Sequence, residues 1–150
     1  MNLRDAELPP EIDEPGFRCR GTSIRTPLGG ELIGGSLYEF DPGEQLWPYH
    51  FHRNNEEWLI VVAGTPILRT PDGERELSAG DVVGFADGEA GAHTLYNRSE
   101  SPARVAIFST LRSGSCTYPD SGKFAAAGHV FRLTDEVDYW DGESGYSSSE

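Results

Sequence analysis

The sequence is poor in the residues that several classes of protein need. Its 150 residues hold 12 basic and 25 acidic side chains, which gives a net charge of −13. Nucleic acids and anionic membranes repel such a surface, so we expect neither as a partner. No apolar run approaches the length of a membrane span, and no apolar signal-peptide core follows the N-terminus. These absences predict a cytoplasmic protein.

The sequence also has few cysteines and lacks helical periodicity. The two cysteines, Cys19 and Cys116, are isolated and lack CxxC spacing. In a reducing compartment we expect them to be free thiols in the core or at the surface, without a redox or metal role. No segment keeps an apolar period of 3.6 residues, which argues against a helical fold. The 18 glycines and 10 prolines instead indicate many tight turns.

Short apolar segments between turn signals fill the middle of the chain. The Asp72-Gly73 pair between two of them is a strong hairpin signal. Short strands at this spacing predict an all-β sandwich or barrel. The predicted strands are 17–25, 35–40, 47–52, 57–63, 66–70, 74–77, 81–86, 93–97 and 104–111.

Composition divides the chain into three parts. Residues 1–16 are charged and proline-rich and predict an N-terminal arm, whereas residues 17–112 carry the strands of one domain. Residues 113–150 form a C-terminal extension whose last residues we expect to fray. Large apolar side chains such as Tyr139 and Trp140 are unusual in a disordered tail. We therefore expect the extension to pack on the barrel or on a partner subunit.

Three of the four histidines stand where one metal ion could use them. His50 and His52 form an H-x-H pair, and residues two apart in a strand point to the same side of a sheet. Glu57 opens the next predicted strand after a short loop, which brings it within reach of this pair. His93 begins a later strand. Imidazole and carboxylate are common metal ligands, so these four residues predict a metal site.

The spacing of these residues resembles the first motif of the cupin superfamily. That motif is a glycine, five residues, H-x-H, three or four residues, Glu, six residues and a glycine. The family spacing also allows Glu56 as the acidic residue, but the count to the following glycine favours Glu57. The chain has one extra residue after the first glycine and otherwise follows the motif with Gly43, His50, His52, Glu57 and Gly64.

The second cupin motif is also recognisable. It is a glycine, five residues, Pro, one residue, a glycine, two residues, His, three residues and Asn. Here Ala86 stands at the proline position, and four residues rather than two separate Gly88 from His93. Asn97 falls on the motif, and we interpret it as a backbone anchor rather than a ligand. The resemblance covers roughly residues 35–111 and implies a cupin jelly-roll β-barrel.

The resemblance also implies a function. It implies one divalent transition metal ion (Fe, Mn, Zn, Ni or Co) on His50, His52, Glu57 and His93. Such a ligand set leaves coordination positions open, which is typical of catalytic metals. We therefore expect a metal-dependent enzyme acting on a small molecule, of the dioxygenase, isomerase, lyase or decarboxylase type. The alternative is a non-catalytic small-molecule-binding or sensor cupin.

Two further expectations concern the surroundings of this site. Tyr49 and Phe51 alternate with the H-x-H pair along the strand and should therefore project from its other face. With Trp58 they are predicted to form an outward apolar patch, which favours a homodimer. No residue is singled out as the catalytic acid or base. The predicted lining of the pocket is apolar and consists of Leu59, Val61, Phe85, Leu95 and Phe108.

Overall fold

The computed structural model describes residues 1–134 and residue 141. In this part of the chain, 13 strands accompany one short helix, α1 (Arg25–Leu28), and two 3₁₀ turns at Glu89–Gly91 and Pro119–Ser121. No described helix has the length and hydropathy needed to span a membrane. The strands are β1 (Pro10–Ile12), β2 (Cys19–Ser23), β3 (Ile33–Phe40), β4 (Gln45–Arg53), β5 (Glu57–Ala63), β6 (Ile67–Thr70), β7 (Gly73–Glu76), β8 (Val82–Phe85), β9 (His93–Tyr96), β10 (Ala103–Thr110), β11 (Ser115–Tyr118), β12 (Lys123–Ala126) and β13 (His129–Arg132).

Two antiparallel sheets enclose the core. One sheet has six strands in the order β1-β2-β3-β10-β5-β8, and the other has seven in the order β13-β12-β11-β4-β9-β6-β7. The main core cluster draws side chains from both sheets, including Phe40, Leu59, Leu68 and Leu95. The predicted all-β jelly-roll barrel is therefore confirmed. Alternation along the strands explains it, because every second residue faces the same side.

Strand β5 shows how this alternation positions the site. Leu59 and Val61 are fully buried, while Trp58, on the opposite face of the strand, is exposed. Burial of one such aliphatic side chain contributes about 2 kcal/mol. Glu57 lies on the same face as these two residues, at the start of the strand. The barrel core therefore continues directly into the floor of the candidate site.

The glycine that closes the first motif has a structural reason. Gly64 has a φ of +80°, a conformation that other residues adopt only with strain. A Cβ atom added there would lie 2.7 Å from the carbonyl oxygen of Pro102 and 2.8 Å from the Cα of Ala103. Strand β5 can thus end against the start of β10 only if this position is glycine.

The N-terminal arm packs onto the six-stranded sheet. Strand β1 pairs with β2, and Leu3, Ala6 and Leu8 cover the outer face of that sheet. The guanidinium of Arg104 donates hydrogen bonds to the carbonyl oxygens of Leu3 and Ala6. The arm therefore shields part of the apolar outer face from solvent.

The first part of the C-terminal extension adds to the edge of the seven-stranded sheet. Strands β11, β12 and β13 form an antiparallel meander, and β11 pairs with β4 so that Cys116 lies opposite His52. A bidentate ion pair with distances of 2.6 and 2.9 Å joins Arg69 of β6 to Asp120. Tyr139 and Trp140, on which the packing expectation partly rested, lie outside the described residues.

The expectation that Tyr49 and Phe51 form an outward patch is wrong. Both side chains are buried within the chain, in a small cluster with Ala92. The guanidinium of Arg69 lies 3.9 Å from the centre of the Tyr49 ring, and that of Arg53 lies 5.3 Å from the Phe51 ring. Arginine side chains cover aromatic faces in this way, so these rings need no partner subunit.

Candidate metal centre

Three strands bring the four predicted ligands together. His50 and His52 project from β4, Glu57 from β5 and His93 from β9. The Nε2 atoms of His52 and His93 lie 3.3 and 3.5 Å from Oε2 of Glu57. The ring centre of His50 lies 4.9 Å from that of His52 and 4.8 Å from that of His93. The side chains thus surround one point between the two sheets.

Backbone carbonyls orient two of the imidazoles. Nδ1 of His50 lies 2.7 Å from the carbonyl oxygen of Pro48, and Nδ1 of His93 lies 2.9 Å from that of Gly91. A carbonyl oxygen only accepts, so in both rings Nδ1 is the donor. The Nε2 atoms therefore keep a lone pair that is directed into the site. Metal-binding histidines are commonly held in this way.

The extra residue of the first motif lies in a bulge of β4. Between Leu46 and His50, β4 advances four residues while the paired strand β9 advances two. Trp47 in the bulge has a φ of +63°, which is strained for a non-glycine residue. Its carbonyl oxygen accepts hydrogen bonds from Gln45 at 3.0 Å and from Thr94 at 2.7 Å. These contacts stabilise the bulge, which turns His50 into the site.

The extra residues of the second motif form the Glu89–Gly91 turn. The N–H of Gly88, just before this turn, donates to the carbonyl oxygen of His52 at 2.8 Å. A Cβ atom added at Gly91 would lie within 1.9 Å of the carbonyl oxygen of Ala86, so only glycine fits. The turn places His93 beside the H-x-H pair although its spacing departs from the motif.

Burial sets the protonation of the inner histidines. His93 stacks on Phe85 with a centre-to-centre distance of 3.6 Å and an interplanar angle of 4°. Burial, together with the neighbouring His50, lowers the pKa of His93 to about 4. Burial is also the main reason why the pKa of His50 is lowered. Both rings are therefore neutral at pH 7, as a metal ligand must be.

Glu57 is ionised in this setting. Burial alone would raise its pKa, but the hydrogen bond to His52 and the nearby imidazoles outweigh that effect and lower the pKa. The site thus holds two neutral imidazoles with free Nε2 lone pairs, those of His50 and His93, beside one carboxylate. The nitrogen and oxygen donors present fit a divalent transition metal ion. The ligand atoms of His50, Glu57 and His93 already lie within 4.8 Å of one another.

A cavity of about 460 Å³ opens from this point towards solvent. Its inner end carries the four candidate ligands, and Arg25 with several serine hydroxyls lines the wall elsewhere. Residues from the C-terminal extension also reach it. Besides the four ligands and Arg25, the lining consists of Ser23, Gly34, Gly35, Ser36, Tyr38, Trp47, Pro48, Ile107, Ser109, Leu111, Cys116 and Tyr118.

None of the five apolar residues predicted to line the pocket lies on this wall. Leu59, Val61, Phe85 and Leu95 belong to the main core below the site. Phe108 packs in the cluster on the outer face of the six-stranded sheet. Strand alternation predicts on which face of a strand a side chain lies, but not whether that position is in the core or at the cavity. For this reason the four core residues were wrongly predicted to line the pocket. Phe108 was assigned to the wrong face of β10, whose neighbouring Ile107 lines the cavity.

Three further polar residues, Glu56, Asn97 and His129, lie outside the candidate ligand set. Glu56 is exposed, while its neighbour Glu57 is directed into the site. The amide of Asn97 donates to the carbonyl oxygens of Phe40 and Ser101, which is the anchoring role expected of it. His129 lies on β13 and is exposed.

The residues that sequence reasoning missed are Arg25, Trp47, Cys116 and Tyr118. No sequence signal revealed that β11 pairs with β4. That pairing carries Cys116 and Tyr118 into the cavity wall, and the ring centre of Tyr118 lies 6.0 Å from that of His50. Contacts between distant segments of this kind are not encoded in local periodicity.

Comparison with known proteins agrees with this architecture. The family described as "Cupin domain" matches residues 36–109, which include all four candidate ligands. The chain belongs to the cupin superfamily. No curated protein sequence matches the chain significantly.

Several solved structures share the fold. A proposed sugar phosphate isomerase from Acidithiobacillus ferrooxidans is 21% identical with a TM-score of 0.75, over 89% of this chain and 93% of that one. A sugar phosphate isomerase of the cupin superfamily from Silicibacter pomeroyi is 20% identical with a TM-score of 0.73, over 87% and 89%. The polyketide cyclase RemF from Streptomyces resistomycificus is 23% identical with a TM-score of 0.60, over 75% and 78%.

Proposed function

We propose that the chain is a metal-dependent enzyme that acts on a small anionic molecule. His50, His52, Glu57 and His93 would hold one divalent transition metal ion (Fe, Mn, Zn, Ni or Co). The observation that carries this proposal is the convergence of three imidazoles and one carboxylate at the inner end of a 460 Å³ cavity. A cavity of this size accommodates a small molecule rather than a polymer. When bound, the ion would polarise an oxygen-bearing group of the substrate.

Arg25 supports an anionic substrate. Its Nε donates to the carbonyl oxygen of Gly30 at 2.9 Å, which fixes the side chain on the cavity wall. Among the described residues, no carboxylate forms an ion pair with Arg25. A guanidinium binds a carboxylate or phosphate through charge-assisted hydrogen bonds. The hydroxyls of Ser23, Ser36 and Ser109 on the same wall add neutral donors.

Isomerisation is the reaction type that we place first. Two similar structures are described as sugar phosphate isomerases, whose substrates by name carry an anionic group. Tyr38 and Tyr118 line the cavity, and burial raises the pKa of Tyr38 and raises that of Tyr118 to about 12. Both hydroxyls therefore stay protonated at pH 7 and can donate hydrogen bonds to a developing oxyanion.

The same tyrosines favour a second candidate function, a non-catalytic binding or sensor protein. Neither has a pKa near neutrality, so neither is an efficient general base at pH 7. Outside the four candidate ligands, the described cavity wall offers no carboxylate or imidazole that could take that role. Binding of an anion without turnover would favour this second function.

The test combines metal analysis with ligand binding. Untagged protein is analysed for metal, and sugar phosphates and small carboxylates are then screened by calorimetry and by NMR for turnover. We expect Arg25→Gln to weaken anion binding about tenfold, as loss of one charge-assisted contact implies. Arg75→Gln removes the same charge from exposed strand β7 and should have no effect. Protein that takes up no divalent metal, or binds anions equally with and without Arg25, would contradict the proposal.

We also propose a homodimer in the cytoplasm. The N-terminal arm leaves Trp58 and Val82 exposed on the outer face of the six-stranded sheet, which offers an apolar contact surface. Sedimentation of the native chain and of Trp58→Arg at micromolar concentration tests this, because the variant should be monomeric. The free thiols of Cys19 and Cys116 fit a reducing compartment.

A further inference from the structure

Cys116 lies beside the candidate metal centre although it belongs to neither cupin motif. It stands opposite His52 in the pairing of β11 with β4, and directly opposed residues in a sheet project to the same side. Its Sγ atom and the ring nitrogens of His50 and His52 lie within 4.8 Å of one another. The residue also forms part of the cavity wall. The register of two strands, rather than one rotamer, therefore places sulfur near the ligands.

The other cysteine shows what a purely structural thiol looks like in this chain. Cys19 is buried in the main core cluster among apolar side chains. Cys116 belongs to none of the core clusters of the described residues and is only half-buried. Cys19 is therefore a packing residue of the core, whereas Cys116 lines the cavity next to two imidazoles.

We infer that Cys116 is a thiolate ligand in a second metal-binding set, His50–His52–Cys116, which shares both imidazoles of the H-x-H pair with the set that includes Glu57 and His93. This inference rests on the proposed metal centre. Because the sets share two residues, one ion occupies the site at a time and binds towards the carboxylate or towards the sulfur.

The identity of the ion decides between the two sets. Thiolate favours borderline and soft ions such as Zn(II) and Co(II), whereas Mn(II) prefers carboxylate oxygen. When sulfur binds, the thiol proton passes to solvent and no electron is transferred. A zinc or cobalt form would therefore have nitrogen and sulfur donors, and a manganese form would have nitrogen and oxygen donors. The metal would thus change the charge and the open face of the site.

Cobalt spectroscopy tests this assignment directly. Metal-free protein is titrated with Co(II), and the near-ultraviolet thiolate-to-cobalt charge-transfer absorption is recorded together with the visible d–d bands. We expect the charge-transfer band in the native protein and in Cys19→Ala, and its loss in Cys116→Ser. The Cys19→Ala variant is the matched control because it removes the chain's only other thiol.

Alkylation provides a readout that needs no variant. Iodoacetamide labelling of each cysteine is followed by mass spectrometry of the native protein, metal-free or loaded with Co(II) or Mn(II). Co(II) should slow the labelling of Cys116 at least tenfold, while Mn(II) leaves it unchanged. Cobalt binding with d–d bands but without a charge-transfer band or protection of Cys116 would overturn the inference and leave the metal centre intact. Failure of the native protein to bind either ion would overturn both.

Discussion

The two walls of the candidate site differ in how the fold holds them. On the barrel wall, the side chains of His93 and Glu57 are 5% and 14% exposed, and Phe85 stacks beneath His93. On the extension wall, the side chain of His52 is 25% exposed, and its neighbours Cys116 and Tyr118 come from β11, the first strand of the C-terminal extension. Core packing therefore fixes the barrel wall, whereas strand register and surface contacts position the extension wall.

Because of this difference, we expect substitutions on the two walls to have different effects on folding and on binding. Substitutions on the barrel wall should damage both folding and metal binding, because the same atoms form the core and the site. Substitutions on the extension wall should alter binding while leaving the fold largely intact. Changes in the proposed substrate or metal preference are therefore expected on the extension wall, where they leave the scaffold intact.

The largest effect should follow from removing the ring beneath His93. Phe85 is 5% exposed, and Phe85→Ala should lower the free energy of unfolding by about 3–5 kcal/mol because it leaves a core cavity. The matched control is Phe131→Ala on β13 of the extension, where the ring is 54% exposed. This control should cost less than about 1 kcal/mol. Equal losses in urea denaturation would show that the two walls do not differ as described.

The second effect concerns the pH dependence of the metal-free protein. The pKa of His93 falls from 6.5 to about 4 on folding, so between these values the unfolded chain binds more protons. Its contribution to stability is fully present above pH 6.5 and is lost as the pH falls towards 4. Metal-free protein should lose up to about 3 kcal/mol over this range in urea denaturation. A flat profile would mean that His93 is not held neutral by the core.

Much of the barrel wall could be predicted from the sequence. Residues 57–63 were predicted as a strand and form β5, and the spacing of His50, His52, Glu57 and His93 pointed to one site. These features depend on alternation and turn residues, which are local properties. The departures from the motifs fell where the chain can absorb extra residues, in the bulge at Trp47 and the turn before His93.

The extension wall could not be predicted for a physical reason. Its position depends on the pairing of β11 with β4, about sixty residues apart in the chain, and such pairings leave no local pattern. The sequence also did not predict which residues of a strand lie in the core and which line the cavity. Leu59 and Glu57 share one face of β5, yet Leu59 lies in the core and Glu57 lines the cavity, and strand alternation does not distinguish these two positions.

The third prediction asks whether both walls bind the metal. His93→Ala and His52→Ala should each weaken metal affinity at least about a hundredfold, more than outer-shell changes usually cost. A hundredfold loss corresponds to about 2.7 kcal/mol of binding free energy. His129→Ala, on exposed strand β13, should bind metal like the native chain. Calorimetry that finds full affinity in His52→Ala would assign binding to the barrel wall alone.

The smallest effect should come from the ion pair that joins the extension to the barrel. Asp120 contacts Arg69 at 2.6 Å, but their side chains are 51% and 31% exposed. Solvent screening limits such pairs, so Asp120→Asn should reduce the free energy of unfolding by less than about 1 kcal/mol. Arginine lowers the pKa of Asp120, so this contribution is present at neutral pH and is lost as the carboxylate is protonated in acid.

A double-mutant cycle isolates this contribution, since Arg69 also covers the Tyr49 ring. Asp120→Asn, Arg69→Met and the double variant are compared by urea denaturation at low and high salt. The coupling free energy should be small and should decrease with added salt. A coupling of several kcal/mol that salt does not change would mean that this contact behaves like a buried pair. The extension would then be held as firmly as the barrel, and the contrast between the two walls would not stand.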